Sequence, residues 1–167
     1  MIRLEHKLAF ERDGFAIVEE AFSMAEVEIL QRAAAAEKRI ENARGVKDRE
    51  GRSSKLSLDS AYTDDIWGHI TRMPRLVRGA EILLGEEVYH WHSKIMVKEA
   101  RAGGAWEWHQ DYGYWYENQH VMFPDMISVA IAVDRANREN GCLQVLRGSH
   151  KCGRIGHGTV GDQSGAD

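Results

Sequence analysis

At 167 residues, 43% hydrophobic and 29% charged, the chain has the composition of one ordinary globular domain. Its formal net charge of -4 gives no basic stripe for nucleic acid or an anionic membrane surface. It has no run of about 18 apolar residues to span a membrane, and the charged opening MIRLEHKLAFERDGF lacks an apolar signal core.

Two cysteines, Cys142 and Cys152, make no disulfide framework and fit no zinc spacing. Reduced thiols in the cytoplasm are the expectation. The predicted elements begin with a short helix over residues 3–12, stopped at Asp13-Gly14, then a strand in FAIVEE. Ser23 and Glu26 have the spacing of a capping box, each side chain reaching the other's backbone N–H, and the apolar face behind them predicts a helix over 24–40. The charged stretch ENARGVKDREGRSS reads as a loop, KLSLD as a strand, and Asp64–Met73 as a helix. Pro74 either interrupts that helix or starts a new one, helix continues over Arg75–Leu84, and Gly85 stops it.

After Gly85 the period changes. In VYHWHSKIMVKE, Tyr89, Trp91, Ile95 and Val97 alternate with His90, His92, Lys94, Met96 and Lys98, as in a strand. MISVAIAVD puts Ile127, Val129, Ile131 and Val133 on one face and Ser128, Ala130 and Ala132 on the other. A turn at Asn140-Gly141 leads into the predicted strand CLQVLRGSH. Helices first and antiparallel strands after suggest an α+β domain whose sheet curls into a barrel or sandwich. The glycine-rich end, HGTVGDQSGAD, reads as the middle of a loop.

The chemistry concentrates in WEWHQDYGYW. In a strand, residues i and i+2 share a face, so His109 and Asp111 can offer an imidazole nitrogen and a carboxylate oxygen to one ion. With a third ligand this becomes the facial triad of non-haem iron(II) oxygenases, with open positions opposite. Trp106, Trp108, Tyr112, Tyr114 and Trp115 can wall such a site from water. The plainer alternative is a surface His–Asp hydrogen bond beside an aromatic core.

HSKIMVKEA, the WEWHQDYGYW block, MISVAIAVD and ENGCLQVLRGSH together resemble the phytanoyl-CoA dioxygenase family, which includes the ectoine hydroxylases. The likeness runs from about Ala9 to Asp167 and takes in FERDGFAIVEE with the helix after it. It implies a double-stranded β-helix, or jelly roll, with flanking N-terminal helices: a single domain over 1–167, mainly helical over 1–85 and a β-strand core over 86–167. It also implies Fe(II) with 2-oxoglutarate as cosubstrate and O2, hydroxylating a small molecule with release of succinate and CO2. Carried over by position, His109 and Asp111 are the first two iron ligands. Trp115 matches an aromatic near the oxoacid in the ectoine branch, and His92 and Met96 fall where that branch has polar contacts to 2-oxoglutarate. Methionine is a poor hydrogen-bonding partner for a carboxylate. Lys94 shares their strand face and can supply charge there.

The family's second histidine ligand lies well downstream of the GSH turn, followed by an arginine for the far carboxylate of 2-oxoglutarate. Neither has a counterpart here, so the chain reads as the N-terminal part of such an enzyme, expected to hold iron poorly alone. His150 in the GSH turn reads as structural, His120 as exposed, and His90 as a strand histidine. His157 can approach the metal or the substrate. Arg147 and Arg154 read as solvated loop residues. Two other readings stay open: a jelly-roll binding module without catalysis, and a cupin-like protein using zinc or manganese. No partner beyond a small-molecule substrate and O2 is implied, and the pattern sets no oligomeric state.

Overall fold

A computed structural model describes residues 1–167 apart from Asn42, Arg44 and Asp167. Helix α1 (Leu4–Asp13) ends where Gly14, at φ 87°, turns its N–H back to the Phe10 carbonyl. FAIVEE forms no strand; it connects α1 to α2 as irregular chain. Helix α2 (Met24–Ala35) carries the expected capping box. Ser23 N–H donates to Glu26 Oε2 at 2.8 Å, and Glu26 N–H donates to Ser23 Oγ at 3.3 Å. The helix stops at Ala36, short of Ile40, and one further turn, α3 (Lys38–Glu41), follows.

The stretch expected to be a charged loop is a hairpin instead. Strand β1 (Gly45–Lys47) pairs antiparallel with β2 (Ser53–Asp59), with Val46 opposite Ser54. Asp48 folds the turn between them: its carboxylate accepts from the N–H groups of Glu50, Arg52 and Ala105, at 2.9, 2.8 and 3.0 Å. A charge-rich composition hid this, because the aspartate that organises the turn is itself buried. Helix α4 (Ile66–Thr71) is capped by Asp65, which accepts from Gly68 N–H, and α5 (Pro74–Leu84) runs from Pro74 to Gly85 as the sequence predicts.

Strand β3 (Ser93–Val97) completes a three-stranded antiparallel sheet in the order β1-β2-β3, with Leu58 opposite Lys94 and Leu56 opposite Met96. It is shorter than the alternation suggested. Helix α6 (Asp111–Gln119) follows. MISVAIAVD and CLQVLRGSH do not pair into strands, and Ser149–Cys152 is a 3-10 turn. The glycine-rich end is not a loop: β4 (His157–Val160) and β5 (Gln163–Ala166) form an antiparallel hairpin.

The architecture is therefore mixed helix and antiparallel sheet. Its surface is large, at 11916 Å² for 18.9 kDa, where a compact monomer of that mass shows roughly 8300 Å². The excess lies partly where strand pairing was expected: Val129, Leu143, Val145 and Leu146 are exposed. A strand needs a neighbour to satisfy its backbone groups, and these two segments have no ladder partner among the described residues. No helix among the described residues is long and apolar enough to cross a membrane.

Candidate metal site

The His-x-Asp pair lies at a coil-to-helix junction, not on a strand: Gln110 caps α6 and Asp111 is its first residue. The two side chains converge because Gln110 between them is extended, at φ -102° and ψ 126°, which sets residues two apart on one side. His109 Nδ1–H donates to the Glu107 carbonyl at 2.7 Å, which commits that nitrogen and leaves Nε2 facing Asp111 Oδ1 at 3.5 Å. The other carboxylate oxygen, Oδ2, accepts from the Ser128 hydroxyl at 2.7 Å. Each side chain thus spends one polar atom on positioning and turns the other toward its neighbour, as ligands to a shared ion do.

The charges follow from this geometry. The hydrogen bond with Asp111 raises His109 above the ordinary histidine value, against desolvation. Burial pushes the Asp111 carboxyl up, but the hydrogen bonds from His109 and Ser128 and the charge of Lys94 outweigh it and hold the group at about 2. The aspartate is anionic at neutral pH, the state a cation requires.

Around the pair, α6 and β3 bring together most of the other candidate residues. Trp115 lies one helical turn beyond Asp111 and is 6% exposed. Its ring meets His92 edge-on at 5.1 Å, and Lys94 Nζ stands 5.7 Å from its centroid. The positive charge of Lys94 is felt by His92, His109 and Asp111 alike. Burial, and then that lysine, push His92 below the ordinary histidine value. Met96 follows on the same exposed face of β3, and the strand's alternating burial agrees with the predicted parity. Of the expected aromatic walls, Trp115 is buried, whereas Trp108 and Tyr114 are exposed.

The loop histidines and arginines are engaged elsewhere. His150 bonds the Glu11 carbonyl at 3.1 Å and lies under Gly14, docking the GSH turn on the end of α1. Arg147 approaches Asp13, and Arg154 pairs with Glu117 at 3.0 Å. His120 ends α6 in a left-handed conformation. His157 comes close to the pair but spends both ring nitrogens on backbone groups, Gln110 N–H and the Ile155 carbonyl. Among the described residues, no third His, Cys, Asp or Glu completes a metal-binding group. Sequence reasoning missed Ser128 as a partner of Asp111; its only signal was its place on the small-residue face of MISVAIAVD.

The phytanoyl-CoA dioxygenase (PhyH) family model matches residues 10–164. An L-proline trans-4-hydroxylase of Streptomyces griseoviridis is 33% identical over 153 residues, which cover 91% of this chain and 57% of the relative. Ectoine dioxygenases of Bordetella bronchiseptica and Nocardia farcinica are 30% and 26% identical, over 86% and 90% of this chain and 48% and 52% of theirs. The chain spans about half the length of the curated relatives it matches.

Proposed function

From a chain that belongs to the phytanoyl-CoA dioxygenase family, we propose an Fe(II)- and 2-oxoglutarate-dependent dioxygenase that hydroxylates a small-molecule metabolite. The observation that carries the proposal is the pairing of His109 Nε2 and Asp111 Oδ1, 3.5 Å apart, which face each other while their partner atoms are held by Glu107 and Ser128. Once a metal replaces the proton between them, one imidazole nitrogen and one anionic oxygen suit a divalent ion of intermediate softness. Among the described residues no third His, Cys, Asp or Glu joins the pair.

With the cosubstrate and O2, Fe(II) supplies oxidation of a C–H bond to C–OH as 2-oxoglutarate is converted to succinate and CO2. The protein's part is placement. The Glu107 carbonyl fixes the His109 tautomer, and Ser128 fixes the carboxylate rotamer. The Trp115 ring and His92 form one wall, while Lys94 gives this side of the site a positive charge for a carboxylate. Met96 contributes an apolar surface on the same strand face. Closure of β2 and β3 with MISVAIAVD and CLQVLRGSH into a jelly roll belongs to the same proposal, supported by the exposed apolar residues of both segments.

L-proline and ectoine, named for two of the relatives, are the first substrates to try. The test is succinate formation by the protein as the cell makes it. It should require Fe(II), 2-oxoglutarate and substrate together, and His109→Ala and Asp111→Ala should each abolish it. Undiminished succinate formation in either variant refutes the site.

A further inference from the structure

Gln110, the residue between the two proposed ligands, is tied at three points to the first residue of β4 and the segment before it. Its backbone N–H donates to His157 Nε2 at 2.9 Å. Its side-chain carbonyl accepts from Ile155 N–H at 2.8 Å, and its amide nitrogen donates to the Gly153 carbonyl at 2.9 Å. A backbone N–H can only donate, so His157 Nε2 must carry the lone pair. The ring proton is then on Nδ1, where it meets the Ile155 carbonyl at 2.9 Å. The imidazole is therefore an acceptor fixed in orientation by its own second hydrogen bond. It also packs against α6 where Gly113 leaves no side chain: a Cβ there would lie 2.6 Å from His157 Nδ1.

We propose that His157 is a positioning residue for the His109–Asp111 pair, a role that rests on the metal-site reading above. Its acceptor nitrogen fixes the peptide that joins the two ligands and so sets the separation of their donor atoms. His157 has no free nitrogen for a metal in this arrangement; it acts through the backbone of Gln110.

The test uses the protein as the cell makes it, with Mn(II) as the metal probe and NMR of the metal-free form. In the wild type, long-range proton–nitrogen spectra should show the His157 proton on Nδ1 alone. A proton on Nε2 at neutral pH overturns the proposal without any variant. His157→Leu should weaken Mn(II) binding about tenfold, the lower end for residues that orient ligands, and should speed exchange of the Gln110 amide. His157→Gln retains an acceptor oxygen and should recover most of both losses. Equal loss in the two variants would reduce His157 to packing and overturn the proposal, as would Mn(II) binding unchanged in His157→Leu. Wild-type protein that takes up no Mn(II) would sink the metal-site reading itself. The positioning role would then be decided by the metal-free spectra, where His157→Leu should displace the His109 and Asp111 resonances and His157→Gln should leave them in place. Failure of that pattern overturns it.

Discussion

Replacing Gly113 with alanine sets two opposite expectations against each other. Alanine is the better helix former by up to about 1 kcal/mol, so propensity alone predicts a more stable protein. The tertiary structure predicts the reverse. A Cβ at 113 would lie 2.6 Å from His157 Nδ1 and 2.9 Å from the Ile155 carbonyl, with His157 Cε1 closer still, whereas ordinary contacts begin at 3.4 Å. The carbonyl belongs to the backbone and the ring is held at both nitrogens, so neither yields freely. Overpacking of this kind costs about 1–3 kcal/mol, and displacing the ring forfeits the Gln110 hydrogen bond, about 1 kcal/mol more. After the propensity gain, a net loss of about 1–3 kcal/mol is expected. Equilibrium urea unfolding measures it, with Gly113→Ala made alone and in a His157→Ala background. Against the smaller residue the part of the penalty owed to the ring should vanish, leaving that of the Ile155 carbonyl, and the double-mutant cycle reads the difference as a coupling. A Gly113→Ala protein as stable as the wild type, or a penalty unchanged without the imidazole, would refute the packing of α6 against β4.

Arg39 bridges α3, β2 and α4, donating to Glu37, Asp59 and Asp65 at 2.8–2.9 Å. Arg39→Met leaves three neighbouring carboxylates without their cation and should cost about 2–4 kcal/mol, somewhat under the loss for a fully buried pair. Thermal or urea unfolding at neutral pH checks this. Glu37 is held at about 2, below its ordinary 4.5, chiefly by the Arg39 guanidinium. A depressed carboxyl contributes fully above pH 4.5 and loses that contribution as pH falls toward 2, so Glu37→Gln should flatten the stability profile within that window. Ser23→Ala removes the cap of α2 and should cost about 1 kcal/mol in the same unfolding assay. Ser128→Ala frees Asp111 Oδ2 and should weaken Mn(II) binding roughly tenfold with little change in stability, measured by titration against the wild type.

Local signals were legible wherever the cause is local. The Ser23–Glu26 box, Pro74 and the stops at Gly14 and Gly85 depend on residues a few positions apart, and the sequence places them to within a residue or two. The alternation in β3 survived too, because side-chain direction along a strand is set by the pleat. MISVAIAVD and CLQVLRGSH have equally good alternation yet form no strands here, since a ladder needs a second chain segment at the right height. The hairpin β1–β2 failed in the other direction: its charged sequence concealed Asp48, whose three N–H partners include one as distant as Ala105.

The proposed site divides in the same way. The residue types can be read from the chain alone: a histidine and an aspartate two apart, an aromatic four residues later, and a histidine and a lysine two apart at the start of β3. The same-side relation of residues two apart holds across the extended Gln110, but the strand it was read from does not, since Asp111 opens a helix. His109 donates to the Glu107 carbonyl, Asp111 accepts from Ser128, and Gln110 between them donates to His157. Two of those partners lie 17 and 47 residues along the chain from the groups they hold. Only the tertiary structure decides such pairs, because a hydrogen bond is fixed by distance and angle in space, and spacing along the chain carries neither once the backbone leaves a regular helix or strand.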